Sequence, residues 1–161
     1  MTTLDLTDIQ GNILRGYRAP NVRHLAVVFG TADGGREIIS ALVSGDEKAA
    51  PQITNASTWE TTPEYCLNIG LTAPGLQALG LPDAWMKLFP TSFQLGPTRK
   101  ANALGDSGSS APENWSLGNP AGPEVHAILS VYADKGIDRQ TARLQSLFTR
   151  NDAQCVYQQD G

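Results

Sequence analysis

The chain has 161 residues, 40% hydrophobic and 17% charged, which provides for one buried core and excludes a disordered polymer. A net charge of −4 with twelve scattered Lys and Arg residues excludes an electrostatic footprint for nucleic acid or anionic lipid. No apolar run is long enough to span a bilayer, the start Met1-Thr2-Thr3-Leu4-Asp5 lacks the basic head and apolar core of a secretory leader, and Cys66 and Cys155 make no disulfide framework, so the expected compartment is a reducing cytoplasm.

In chain order, residues 1–22 form an amino-terminal extension. It carries Asp8-Ile9-Gln10-Gly11-Asn12-Ile13-Leu14-Arg15-Gly16-Tyr17, a short apolar run bracketed by glycines that predicts a loop or one helical turn packed on the domain. His24 to Phe29 is continuously apolar after its first residue and closed by Gly30, which predicts a central strand. Residues 33–45 read as a helix with Ile38, Ile39, Leu42 and Val43 on one stripe and Gly45 past its end. Residues 46–63 are polar and irregular. Tyr65 to Ile69 is a second strand. Thr72 is a good N-cap, Pro74 fits the first turn, and Leu76 and Leu79 supply the apolar face of a helix. A second short helix starts at Leu81-Pro82-Asp83, carries Trp85, Met86, Leu88 and Phe89, and is expected to end at Pro90. Residues 93–123 are rich in Gly and Pro and read as one long loop, of the kind that is functional or covered by something. Val125 to Tyr132 is a third strand, Asp138 to Arg150 a helix with Leu144, Leu147 and Phe148 inward, and Ala153 to Tyr157 a fourth strand. Trp85, Trp115, Phe89 and Phe93 are expected to pack around the insertion.

The order β-α-β, insertion, β-α-β is the split ferredoxin-like pattern, an α+β fold. It implies a single domain with an antiparallel sheet, helices on one face, and the second and fourth strands at the edges. On the third strand Val125, Ala127, Leu129 and Val131 share one side, while His126, Ile128, Ser130 and Tyr132 share the other. This second face is half apolar and half polar. One reading is a wet sheet face; the other is a face packed on a second sheet or partner, with Ile128 and Tyr132 as interface residues.

Catalytic motifs are sparse. His24, His126 and two distant cysteines lack zinc-ligand spacing. There is no Ser-His-Asp pattern, dinucleotide fingerprint or phosphate loop, since Gly96-Pro97-Thr98-Arg99-Lys100 lacks the Ser or Thr after its lysine. Cys66 and Cys155 fall on opposite edge strands in this topology, too far apart to bond.

Three segments together resemble the dye-decolourising haem peroxidases. They are Asp8 to Tyr17; Leu67-Asn68-Ile69-Gly70-Leu71-Thr72 with Gly75-Leu76-Gln77-Ala78-Leu79-Gly80; and Phe93-Gln94-Leu95-Gly96, Arg99, Leu104-Gly105-Asp106-Ser107-Gly108-Ser109-Ser110, Trp115 and Val125-His126-Ala127. The likeness runs from about Asp5 to Gly161. Pro97 departs from the methionine frequent in that family. The resemblance implies a dimeric α+β barrel type of fold, haem as cofactor, and hydrogen-peroxide-dependent oxidation of dyes and other aromatic donors. It also implies two ferredoxin-like halves, of which this chain is the first. The distal carboxylate of a Gly-x-x-Asp-Gly motif, the distal arginine and the proximal histidine are expected in the second. The ending Tyr157-Gln158-Gln159-Asp160-Gly161 has Tyr where that motif begins with Gly, so no catalytic residue is expected in this chain. Three residues are candidates for contact with haem. Arg99 is a loop arginine that meets a carboxylate or a haem propionate, or faces water. Asp106 approaches a partner between flexible glycines, or caps its own turn. His126 is an axial ligand substitute, or a hydrogen-bonded packing residue. The expected partner is the second half, or a second copy. Two other functions remain open: a catalytically inactive homodimeric binding module, and a stand-alone binder of small ligands between two sheets.

Overall fold

The computed structural model describes residues 4–44, 46 and 48–161. Most of the leader reading and the Gly45 helix stop lie outside the described residues. A one-turn helix α1 (Gly11–Leu14) precedes strand β1 (Asn21–Phe29) and helix α2 (Ala32–Val43). Strand β2 (Tyr65–Leu71) leads into three short helices, α3 (Ala73–Ala78), α4 (Asp83–Met86) and α5 (Thr91–Leu95). After α6 (Ala101–Leu104) come β3 (Ala127–Ala133), α7 (Ile137–Arg150) and β4 (Ala153–Asp160). The sheet order is β2-β3-β1-β4 with every pair antiparallel. This is the split ferredoxin-like topology, with β2 and β4 at the edges as expected.

The core lies between the sheet and the two long helices. Leu25, Val27, Phe29, Leu67, Ala127, Leu129 and Val131 point into it, against Ile38 and Leu42 of α2 and Leu144, Leu147 and Phe148 of α7. Alternation explains the strand side, since β3 buries every second residue from Ala127 to Ala133. On α2 the buried stripe is Gly35, Ile38 and Leu42. Val43, expected on that stripe, is 66% exposed because it falls one residue beyond Leu42, where the helix has turned toward solvent.

Local chemistry sets the ends. Thr31 and Thr72 cap α2 and α3 by accepting the N–H of Gly34 and Gly75. Thr72 Oγ1 also donates to the carbonyl of Val125 at 2.6 Å. A Cβ on Gly75 would overlap the carbonyl of His126, so this approach of α3 to the chain entering β3 requires glycine.

Three expectations need correction. His126 lies before β3, not within it, because Nδ1 of its own ring takes the N–H of Phe29 at 2.9 Å, beyond the end of the β1–β3 ladder. Pro90 does not end the helix carrying Trp85; α4 stops at Met86, and Pro90 is the N-cap of α5. Residues 93–123 are not one loop but a chain of short turns: α5, α6 and single 3-10 turns at Thr98–Lys100, Gly108–Ser110 and Pro112–Asn114. Gly96, Pro97, Gly105, Gly108 and Pro112 each start or stop one of these turns.

Candidate functional site

The sheet face away from the long helices is the candidate site. It carries His24, Ala26 and Val28 of β1, Cys66 and Asn68 of β2, and Ile128, Ser130 and Tyr132 of β3, by register. Ile128 and Tyr132 are both half-buried. His24 Nδ1 pairs with Ser130 Oγ across the β1–β3 register at 2.8 Å.

One end of this face is strapped by the amino-terminal extension. The Gln10 side chain reaches the free edge of β2: its Nε2 donates to the Ile69 carbonyl at 2.8 Å, and its Oε1 accepts the Ile69 N–H at 2.8 Å and Asn68 Nδ2 at 3.2 Å. A side-chain amide has the same donor and acceptor as a peptide, so Gln10 completes the edge as a strand would. Further along the edge, Thr54 N–H donates to the Leu67 carbonyl and Thr54 Oγ1 accepts the Leu67 N–H. Gly11 sits where a Cβ would overlap both Tyr17 Oη and the Asn55 carbonyl, so the strap folds closely only with glycine there. Arg15 donates to the Ala56 carbonyl and lies over the Trp59 ring, 5.0 Å from its centroid.

The strap delivers an aromatic column. Tyr17 stacks on Trp59 at 5.9 Å and meets Tyr132 edge-on at 5.1 Å; Tyr132 meets His24 at 6.5 Å. Tyr132 is therefore covered by Tyr17 of its own chain. Beside the column is a cleft of about 310 Å³, lined among others by Tyr17, Trp59, Glu64, Cys66, Tyr132 and Asp134. Burial raises the Tyr17 phenol above its ordinary value, and the neighbouring Asn68 amide opposes that rise. Burial also raises the Cys66 thiol. Tyr17 Oη and Asn68 Oδ1 are buried without a hydrogen-bond partner among the described residues. Trp59 and the capping role of Gln10 were missed in the sequence. The signal for Trp59 was an indole in an otherwise polar stretch; Gln10 stood inside a recognised motif but offered no local reason for its presence.

The remaining candidates lie apart from this column. Arg99 is exposed on the Thr98–Lys100 turn and makes no ion pair among the described residues. Asp106 is half-buried; its N–H closes the end of α6 on the Ala101 carbonyl at 2.9 Å, and its carboxylate caps no amide among the described residues. Burial lowers the His126 imidazole below its ordinary value, against an opposing effect of Glu124. Cys66 and Cys155 are free thiols on opposite edges, about 14 Å apart by strand spacing alone. Asp160 lies in β4 and pairs with Arg23 through two bonds of 2.6 and 2.7 Å, while Arg23 also holds Asp138 of α7 at 2.7 Å. Phe89 and Phe93 meet at 5.0 Å, and Trp115 is half-buried with Nε1 donating to the Ser110 carbonyl at 2.8 Å. Trp85, expected to pack inward, is instead 61% exposed, because α4 turns Met86 into the core in its place. No helix is long and apolar enough to cross a membrane among the described residues.

Residues 8–161 match the family described as the DyP dimeric alpha+beta barrel domain. The chain belongs to this family. It is 28% identical to a dye-decolorizing peroxidase of Exidia glandulosa over all of its own length and 30% of that protein. It is 33% identical to peroxidase 2 of Mycetinis scorodonius, over 89% of this chain and 26% of that one. A solved dye-decolorizing peroxidase in complex with 2,6-dimethoxyphenol superposes with a TM-score of 0.79 at 26% identity, covering 99% of this chain and 34% of that one. The chain thus spans between a quarter and a third of the length of the relatives it matches, the amino-terminal part.

DyP peroxidases are haem enzymes, so the histidines of this DyP domain can be tested as axial ligands. His24 and His126 each have Nδ1 engaged, on Ser130 and on the Phe29 N–H. Neither lines the cleft beside Tyr17. No group of three or more His, Cys, Asp and Glu is placed to hold a metal among the described residues. As the acceptor of the Phe29 N–H at Nδ1, neutral His126 carries its proton on Nε2 and does not fit an axial ligand.

Proposed function

We propose that this chain is the amino-terminal half of a DyP-type haem peroxidase, supplying structural walls and the interface while a second ferredoxin-like half supplies the haem ligand and the distal acid–base groups. The observation that supports this reading is the family match over residues 8–161 in a chain that spans only 30% of a full-length relative. The half-buried sheet face around Ile128 is the surface such a half would cover. In the assembled enzyme the bound haem supplies the iron at which peroxide reacts, and dyes and other aromatic donors are oxidised. This chain's part is to bind and orient. Arg99 would offer its unpaired guanidinium to a propionate, Asp106 its uncapped carboxylate to a donor, and His126 only its Nε2, since Nδ1 is committed to Phe29.

Peroxide heterolysis needs a fixed iron and a group that moves a proton between the peroxide oxygens. Purified chain with haem and peroxide should therefore oxidise dye no faster than free haem. Robust turnover by wild type that is lost in His126→Ala overturns this reading.

The same open face also favours a second reading, a catalytically inactive homodimeric binding module, since the family is described as dimeric. Light scattering separates the two. A dimer that Ile128→Glu dissociates, with no effect of a second half on dye oxidation, supports the module. If Ile128→Glu changes neither association nor solubility, that face is no interface.

A further inference from the structure

We propose that the cleft beside Tyr17 binds a small single-ring aromatic zwitterion, a ligand of the class of a free aromatic amino acid. The inference stands apart from the peroxidase-half reading, because every residue it uses belongs to this chain. The cleft holds about 310 Å³. That is the lower end of the roughly 300–1,000 Å³ of small-molecule sites, and it suits one ring with its substituents. Tyr17, Trp59 and Tyr132 line it, all half-buried. The Tyr17 ring is 5.9 Å from Trp59 and 5.1 Å from Tyr132, so the three rings hold one another as a single wall. Such a wall offers ring surface to a planar apolar body.

The rim selects the ends of the ligand. Arg18 and Asp134 line the cleft and are exposed, and neither forms an ion pair among the described residues. Glu64, the other charged lining residue, is already held by Arg139. One cation and one anion are therefore left for a ligand. A phosphate or a dicarboxylate would meet Asp134 with like charge, and a diamine would meet Arg18 with like charge. A purely cationic ligand has a further disadvantage, since Arg15 already lies over the Trp59 ring at 5.0 Å. A zwitterion satisfies both ends, its carboxylate on the Arg18 guanidinium and its ammonium on Asp134. The walls are also fixed without a ligand. Asn21 Nδ2 donates to the carbonyls of Ala133 and Asp134 at 3.3 and 3.0 Å, which holds the chain that presents Asp134. Arg15 donates to the Ala56 carbonyl, which anchors the strap that carries Tyr17 and Arg18. A site ordered in advance loses less freedom on binding.

The test is a nitrogen-15 NMR titration of the whole chain with four probes: L-phenylalanine, 2-phenylethylamine, 3-phenylpropionate and glycine. The amides of Ala19 and Ala133, which line the cleft, report binding. L-Phenylalanine should shift both saturably with a Kd on the order of 1 mM, as befits about a dozen non-hydrogen atoms in an open cleft. Each singly charged analogue should bind about 2–5-fold more weakly, the scale of an exposed ion pair, and glycine should cause no shift. Arg18→Gln should weaken L-phenylalanine and 3-phenylpropionate but spare 2-phenylethylamine. Asp134→Asn should weaken L-phenylalanine and 2-phenylethylamine but spare 3-phenylpropionate. Both positions are exposed, and the same spectra show that the variants are folded. The analogue series on wild type decides the matter even if a variant fails. No saturable shift with L-phenylalanine overturns the proposal. So does an analogue that binds as tightly as L-phenylalanine, since the rim would then not read two charges. Shifts by glycine of equal size overturn the aromatic wall, and with it the proposal. None of these outcomes alters the peroxidase-half reading, which the dye-oxidation assay tests separately.

Discussion

Replacing Gln10 with alanine tests whether a side chain serves as the missing strand at the β2 edge. The variant loses three hydrogen bonds, two of 2.8 Å to Ile69 and one of 3.2 Å to Asn68. A neutral hydrogen bond contributes about 1 kcal/mol, and a partly buried peptide group left without a partner costs about 1–3 kcal/mol. Water reaches part of this edge, so the expected loss is about 2–4 kcal/mol in urea unfolding, with the midpoint falling and the slope unchanged. For a domain of this size that is a drop in Tm of roughly 5–15 °C. Gln10→Glu keeps the acceptor but turns a carboxylate toward the Ile69 carbonyl. It should be at least as damaging at pH 7 and partly recover below about pH 4, where the protonated acid donates again. The opened edge should also increase aggregation on heating. A Gln10→Ala protein within about 0.5 kcal/mol of wild type would show that the strap does not hold the edge, and the role assigned to the extension would fall.

His126 must be neutral to accept the Phe29 N–H, and its folded pKa is lowered by burial. Its contribution is complete above the unfolded value of about 6.5 and is lost as pH falls through the lowered folded value. The urea midpoint should therefore drop below pH 6.5, and His126→Gln should flatten that limb; an unchanged slope refutes the assignment. Asp160 is lowered by its bonds to Arg23, so its contribution is present above about pH 4 and disappears on further acidification. Asp160→Asn should lose that acid limb, and a pH profile identical to wild type counts against the ion pair. Gly75→Ala drives a methyl into the His126 carbonyl and should cost about 2 kcal/mol or more by thermal unfolding. Asp152 adopts a φ of 50°, so Asp152→Gly should be neutral or stabilising by up to about 1 kcal/mol, whereas Asp152→Val should cost about 1–2 kcal/mol.

Much of the fold was legible in the sequence because its signals are local. Alternation along β3, the cap at Thr72 and the stripe Leu144, Leu147, Phe148 depend on neighbours within a few residues, and each appears where expected. The edge positions of β2 and β4 followed from element order alone, and with them the separation of Cys66 from Cys155. Where an element ends by a few degrees of rotation, as at Val43, sequence periodicity lacked the resolution.

The candidate site was less legible, because its contacts join residues far apart in the chain. Gln10 meets Ile69, Tyr17 meets Tyr132, and Arg15 meets Trp59. Nothing within ten residues of Gln10 explains a glutamine there; a free sheet edge does. Likewise the reading of His126 turned on whether its ring faces a cavity or a backbone N–H, and only the end of the β1–β3 ladder beside Phe29 decides that. Sequence alone determined the chain's fold class, its edge strands and its resemblance to the peroxidases. Tertiary structure decided which polar side chains are occupied and which apolar ones stand bare, since hydrogen bonding and burial are properties of surfaces brought together by folding rather than of residues in order.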